Sequence, residues 1–158
     1  MAQAWRYNPN VSQDKSDLLA YRLFRQFAKT EYALKECLYL EPESKWAKPN
    51  WDQFAERHGG IWDDPKIREA RDYIVAHPPA RQMNENGRAI FEKQPKKPTN
   101  AKELLCAMRT IRNNLFHGGK RVGFLNDPRR DEPLMCHALA ILEACLRADA
   151  ELESAYHH

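Results

Sequence analysis

From about Ser16 to Leu40 the chain runs without proline or glycine, and apolar residues recur at Leu19, Leu23, Phe27, Leu34 and Leu38. Steps of three and four place side chains on one face of a helix, so the stretch predicts a long amphipathic α-helix. Leu18, Phe24, Tyr32 and Cys37 widen the stripe, and Glu41-Pro42 ends it. Such a helix gains most of its stability by burying its stripe against partners, so the rest of the chain has to supply matching faces.

It does so in several places. One short helix opens at Asn50 and runs through Trp51, Phe54 and Arg57 to Gly59-Gly60. Another takes Asp64 as N-cap and Pro65 at its first position, with Ile67, Ala70, Tyr73 and Ile74 as its stripe and His77-Pro78-Pro79 as its stop. Residues 80 to 99 are loop-like and basic, and Ile90-Phe91 is expected to anchor them on the core. Asn100-Ala101-Lys102-Glu103 has the spacing of a capping box. Leu104, Leu105, Met108, Ile111 and Leu115 follow at helical spacing, and Gly118-Gly119 gives the stop. A loop with Lys120, Arg121, Arg129 and Arg130 leads to a last helix, capped at Asp131 with Pro133 in its first turn. That helix carries Leu134, Leu139, Ile141, Leu142, Cys145 and Leu146. No alternating segment is long enough to demand a strand, and no repeat is present. The expected fold is all-α, a bundle of about four to six helices in one domain, with its core spanning residues 16 to 153.

The charge is uneven. The formal net charge is +3, yet residues 101 to 130 carry 7 basic and 2 acidic side chains, and residues 131 to 158 carry 1 and 6. A basic segment of this kind suits a polyanion, or pairs with the acidic helix that follows. Cys37, Cys106, Cys136 and Cys145 lie far apart and read as small core residues in a reducing, cytoplasmic setting. No metal or cofactor set is expected. The N-terminus lacks the apolar core of a signal peptide, and no segment approaches the roughly 18 apolar residues of a membrane span.

Within the basic segment lies Arg112-Asn113-Asn114-Leu115-Phe116-His117-Gly118-Gly119-Lys120. On an ideal helix Asn113 and His117 differ by about 40° and share a face, while Arg112 sits about 140° from His117. Arginine is a fixed positive donor suited to phosphate, and histidine titrates nearest neutral pH. A histidine at the last helical turn also meets the negative end of the helix dipole, which favours its protonated form. The alternative is a helix-end histidine bound to that dipole beside an arginine in an ion pair.

Arg112, the polar Asn113 after it and His117 at the end of a helix resemble the signature of the HEPN family, all-α domains named for higher eukaryotes and prokaryotes nucleotide-binding. The likeness runs over residues 16 to 153 and is sharp only at this motif. It implies a metal-independent endoribonuclease acting as a homodimer with a composite active site, often a toxin or phage-defence effector paired with an antitoxin or immunity protein. In that scheme the 2′-hydroxyl of RNA attacks the adjacent phosphate. His117 moves protons, Arg112 stabilises the phosphoryl oxygens, Asn113 orients imidazole or phosphate, and Lys120, Arg121 and Arg109 bind flanking phosphates. Toxins of the family that are neutralised by a nucleotidyltransferase usually carry a tyrosine two residues after the histidine. This chain has Gly119 there, a departure from that route. The competing class is a non-catalytic helical module that binds RNA or a protein partner through the same face.

Other residues fit structural roles. Trp5, Trp46, Trp51 and Trp62 with Tyr7 and Tyr39 read as core or interface aromatics, against a base-stacking platform as the alternative. His58 reads as a helix end, His77 and His137 lack partners at metal-ligand spacing, and Asp63-Asp64 reads as helix capping.

Overall fold

The structure, a computed structural model, describes residues 11–116 and 128–158, with side chains for 15–116 and 131–158. Among these residues the chain is an all-α bundle with one small hairpin: α1 (Val11–Glu36), α2 (Trp51–Arg57), α3 (Arg68–Ala76), β1 (Gln82–Glu85), β2 (Arg88–Phe91), α4 (Ala101–Phe116), α5 (Pro128–Ala148) and α6 (Ala150–His157). Helix α1 packs on α5 and α6, α3 packs on α5, and α4 bridges α2 and α5.

The inner stripe of α1 is buried at Leu23, Phe27 and Leu34, where it meets Leu104, Leu105 and Met108 of α4 and Met135, Ile141 and Leu142 of α5 in one core. Leu19 and Cys37 pack at its edge. The outer residues differ from expectation. Leu18, Phe24 and Tyr32 are exposed, because a stripe that wide exceeds the face the neighbouring helices can cover, and Leu38, expected on the inner stripe, is exposed because it lies past the end of the helix.

The end of α1 also departs from the sequence reading, since the helix stops before Glu41-Pro42. Leu38 takes a left-handed φ of 64°, the Tyr39 N–H bonds the Leu34 carbonyl at 2.9 Å, and the Leu38 N–H bonds the Lys35 carbonyl at 3.1 Å. That is a Schellman ending with a leucine in the position usually given to glycine, so no glycine or proline announced it.

Helix α2 starts as the sequence indicates, with Asn50 Oδ1 accepting the Gln53 N–H at 3.0 Å. Asp64 Oδ1 accepts the Lys66 N–H at 2.8 Å but caps a 3₁₀ turn, and α3 begins only at Arg68, with Ile67 before it and no side-chain cap. Short 3₁₀ turns at Gly59–Asp63 and Pro65–Ile67 join α2 to α3. The segment read as a loop contains the β1–β2 hairpin. Asn86 and Gly87, with φ of 52° and 79°, form its two-residue turn, and Asn-Gly is the pair that best adopts two successive positive φ values. Strands of four residues were too short to show alternation. Phe91 is exposed and Ile90 half-buried, so that pair anchors the segment less than expected.

Helix α4 opens with Asn100 Oδ1 accepting the Glu103 N–H at 3.0 Å. The reciprocal half of the box is shifted by one residue: Glu103 Oε2 accepts from the N–H and hydroxyl of Thr99, both at 2.9 Å. Lys96 also meets this carboxylate. Chiefly through Lys96, then Thr99, the Glu103 carboxyl is held down at about 2.

Helix α5 begins at Pro128, so Asp131 lies buried inside its first turn instead of capping it, and Pro133 falls within the helix. A separate α6 follows. Asp149 supplies its N-cap, with Oδ1 accepting the N–H groups of Glu151 (3.0 Å) and Leu152 (3.1 Å). Of the cysteines only Cys145 is buried, which pushes its thiol up to about 12. Cys37 and Cys106 are half-buried and Cys136 is exposed, so the core reading holds for one of the four. No helix among the described residues is long and apolar enough to cross a membrane.

Candidate active site and the cavity beside it

Arg112 lies on the last turns of α4, and its guanidinium does not stand free. Its Nη2 donates to Glu31 Oε1 at 3.0 Å and its Nη1 to Glu31 Oε2 at 3.3 Å, a two-pronged pair across to α1. Trp51 at the start of α2 donates its Nε1 proton to the same Glu31 Oε1 at 3.0 Å. The guanidinium also lies over the Phe27 ring, 4.8 Å from its centroid. Three elements thus fix one cation: α1 gives the carboxylate and the ring, α2 the indole, and α4 the arginine. With both partners about four-fifths buried (23% and 22% exposed), this pair is shielded from solvent far better than an open surface pair.

The geometry leaves Arg112 with donors to spare. A guanidinium has five N–H groups, and the pair with Glu31 uses one on each Nη. Its Nε is buried with no hydrogen-bond partner among the described residues, and the same is true of Arg109 Nε. Arg112 borders a cavity of about 650 Å³ that is also lined by Lys48, Arg81, Arg109, Asn113 and Asn114. This volume lies within the ~300–1,000 Å³ typical of ligand sites.

The other expected residues separate into distinct roles. Asn113 is exposed on the cavity wall, with no side-chain hydrogen bond among the described residues. Asn114, on the same cavity wall, donates to the Ala80 carbonyl at 2.9 Å, tying α4 to the base of the hairpin. Arg109 Nη2 pairs with Asp52 Oδ1 at 3.2 Å, and Lys102 meets Asp52 and Glu56 at 3.2 and 3.6 Å. Asp52, the larger influence, and Glu56 raise the Lys102 ammonium above its ordinary value. His117, Lys120 and Arg121 lie outside the described residues, as do Gly118-Gly119 and the side chains of Arg129 and Arg130.

Three residues at this site escaped the sequence reading, Glu31, Arg81 and Lys48, and Trp51 was read as a core or interface aromatic without its bond to Glu31. Glu31 carried a signal. It is four residues after Phe27 and three before Leu34, so a carboxylate sits on the buried stripe of α1, where it requires a partner charge.

The aromatic and histidine readings resolve in the same frame. Trp51 is buried and spends its N–H on Glu31, Trp62 packs under Arg71, and Tyr39 is buried, so these three serve packing. Trp46 is exposed. His58 ends α2 as expected and belongs to a second polar cluster: its Nε2 lies 3.1 Å from Tyr39 Oη and 3.0 Å from Asp149 Oδ2, which also accepts the Tyr39 hydroxyl at 3.0 Å. Burial raises the Asp149 carboxyl, but the Leu152 N–H, the Tyr39 hydroxyl and His58 outweigh it, and the net direction is downward. Burial, reinforced by the bond to Asp149, raises the Tyr39 hydroxyl. Tyr73 stacks on His77 and packs against His137, whose imidazole is lowered by burial. Asp64 caps its turn and pairs with Arg147 at 3.0 Å.

No protein-family model matches the chain, nor does any curated protein or solved structure.

Proposed function

We propose that the chain is a metal-independent endoribonuclease of the HEPN type, acting in the cytoplasm as a homodimer, with Arg112 and His117 as its reacting pair. The observation that carries the reading is the placement of Arg112. A guanidinium oriented by Glu31, Trp51 and Phe27 keeps unused donors at the edge of a cavity that also receives Asn113. Fixed donors of this kind stabilise a phosphoryl transition state without reorganising.

In the proposed reaction the RNA 2′-hydroxyl loses its proton to one imidazole and attacks the adjacent phosphorus. The bond to the 5′-oxygen breaks, and that oxygen takes a proton from a second imidazole. The products are a 2′,3′-cyclic phosphate and a 5′-hydroxyl. A second copy of the chain supplies the second His117. Support for such pairing comes from Tyr21, Phe24 and Phe116, which leave apolar surface exposed at the motif end of α4. The system context, a toxin or phage-defence effector with its antitoxin or immunity protein, follows the same family reading.

One observation favours the non-catalytic alternative, a helical module that binds RNA or protein. Glu31 neutralises Arg112 within the fold, as it would for an arginine that only holds α1 to α4. Turnover separates the two. Purified wild-type protein is expected to cut RNA in the presence of EDTA, leave DNA intact, and lose cutting in Arg112→Ala and His117→Ala. Equal RNA survival with all three proteins selects the binding module.

A further inference from the structure

The cavity beside Arg112 does not end at the motif. A second cavity of about 390 Å³ shares Arg81, Cys106, Arg109 and Thr110 with it and continues toward Lys96 and Lys102 at the start of α4. Together they form a trough along α4, walled on one side by the base of the hairpin.

The cations of the trough are not equivalent. Arg109, Lys102 and Lys96 are committed to Asp52, Glu56 and Glu103, so a phosphate placed on them competes with an internal carboxylate. Arg81 and Lys48 have no carboxylate partner among the described residues. The side-chain partner of Arg81 is the Cys106 thiol, 3.2 Å from its Nη2, and a thiol is a weak acceptor that leaves the guanidinium available. Both residues stand on fixed backbone. Asn114 holds the Ala80 carbonyl just before Arg81, and the Lys48 carbonyl accepts the Glu41 N–H at 3.0 Å. Gln82 and Asn113, which make no side-chain hydrogen bond among the described residues, add amides to the cavity lining, groups able to pair with base edges.

Resting on the ribonuclease reading, we propose that this trough is the track for single-stranded RNA flanking the cleavage point, with Arg81 and Lys48 as its phosphate contacts. Single strands expose both their backbone and their base edges to such a groove, whereas a duplex hides its bases. The second asparagine of the motif then has a positioning role, since it sets the hairpin base that carries Arg81.

Cys106 supplies a reporter inside the trough, and exposed Cys136 an internal reference. The experiment measures iodoacetamide alkylation of each by mass spectrometry in His117→Ala protein, with and without a short single-stranded oligoribonucleotide. RNA is expected to slow alkylation of Cys106 and leave Cys136 unchanged. Arg81→Ala and Lys48→Ala are each expected to weaken RNA binding roughly three-fold at physiological salt and to reduce the salt slope by about 0.7. Unchanged affinity and slope in both variants overturns the proposal, as does Cys106 alkylation indifferent to RNA or equal protection by a duplex of the same sequence. Failure of the ribonuclease reading shows differently: Cys106 is protected and both variants bind weakly, yet wild type and His117→Ala cut RNA at the same rate.

Discussion

Two polar networks in this protein share one plan and end differently. At each, a carboxylate is held between an aromatic donor and a basic group: Glu31 by Trp51 and Arg112, Asp149 by Tyr39 and His58. Asp149 is spent. One oxygen caps α6 and the other takes the two side chains, so the network closes on itself at the junction of three chain segments. Glu31 instead orients a cation that keeps donors in reserve beside a cavity. A charged cluster alone therefore says little about chemistry; unused donors next to open volume say more.

The largest expected effect tests this contrast directly. Arg112→Ala and His117→Ala should each lower RNA cleavage at least about 100-fold, the scale of losing a charge-stabilising donor or a proton carrier. Asp149→Asn should leave cleavage per folded molecule unchanged. A comparable loss in Asp149→Asn erases the distinction between the two networks.

Next in size is stability. Asp149→Ala removes a helix cap and leaves Tyr39 and His58 without their acceptor, for a cost of about 2 kcal/mol in urea unfolding. Because the folded Asp149 carboxyl titrates below its ordinary value, its contribution is complete above the unfolded pKa, about 3.9. It is lost as pH falls from there through the lower folded value. The stability gap between wild type and Asp149→Ala should therefore be full at neutral pH and narrow below about pH 4. A gap independent of pH across that range removes the charged carboxylate from the account.

Glu31→Gln is a finer test. The amide retains one acceptor for Trp51 but cannot grip the guanidinium by two charged bonds, so cleavage should fall about ten-fold. The pH profile of the remaining activity should keep its shape, because in the proposed reaction Glu31 positions Arg112 and carries no proton. A shifted profile assigns Glu31 a direct role.

How much of this was legible depended on whether a feature is local. Asn50, Asp64 and Asn100 announce helix starts because a cap is made by residues two or three apart, and the stripes of α1 and α4 show the period of the core they fill. The Arg112 motif was legible as a pattern. Its partners were not, since Glu31 and Arg112 lie 81 positions apart and only tertiary packing brings them together. The Tyr39–Asp149 contact was hidden for the same reason, at a separation of 110. The end of α1 failed on a different ground: Leu38 occupies a left-handed conformation that its identity disfavours, imposed by the two carbonyls the turn satisfies.

The smallest effect concerns the hairpin, which bears on whether the trough has a rigid wall. Gly87 adopts φ of 79° with open space around its missing Cβ, so Gly87→Ala strains the backbone without a clash, at about 1 kcal/mol. Since β1 and β2 are almost wholly exposed, that loss should stay local: amide exchange across the Met83–Ile90 and Glu85–Arg88 pairs should quicken about five-fold while the urea midpoint barely moves. RNA affinity should fall less than in Arg81→Ala, because the Asn114 bond to Ala80 still holds the strand where Arg81 leaves it. A midpoint shift as large as that of Asp149→Ala shows instead that the hairpin unfolds with the core, and makes the trough wall part of the bundle's cooperative unit.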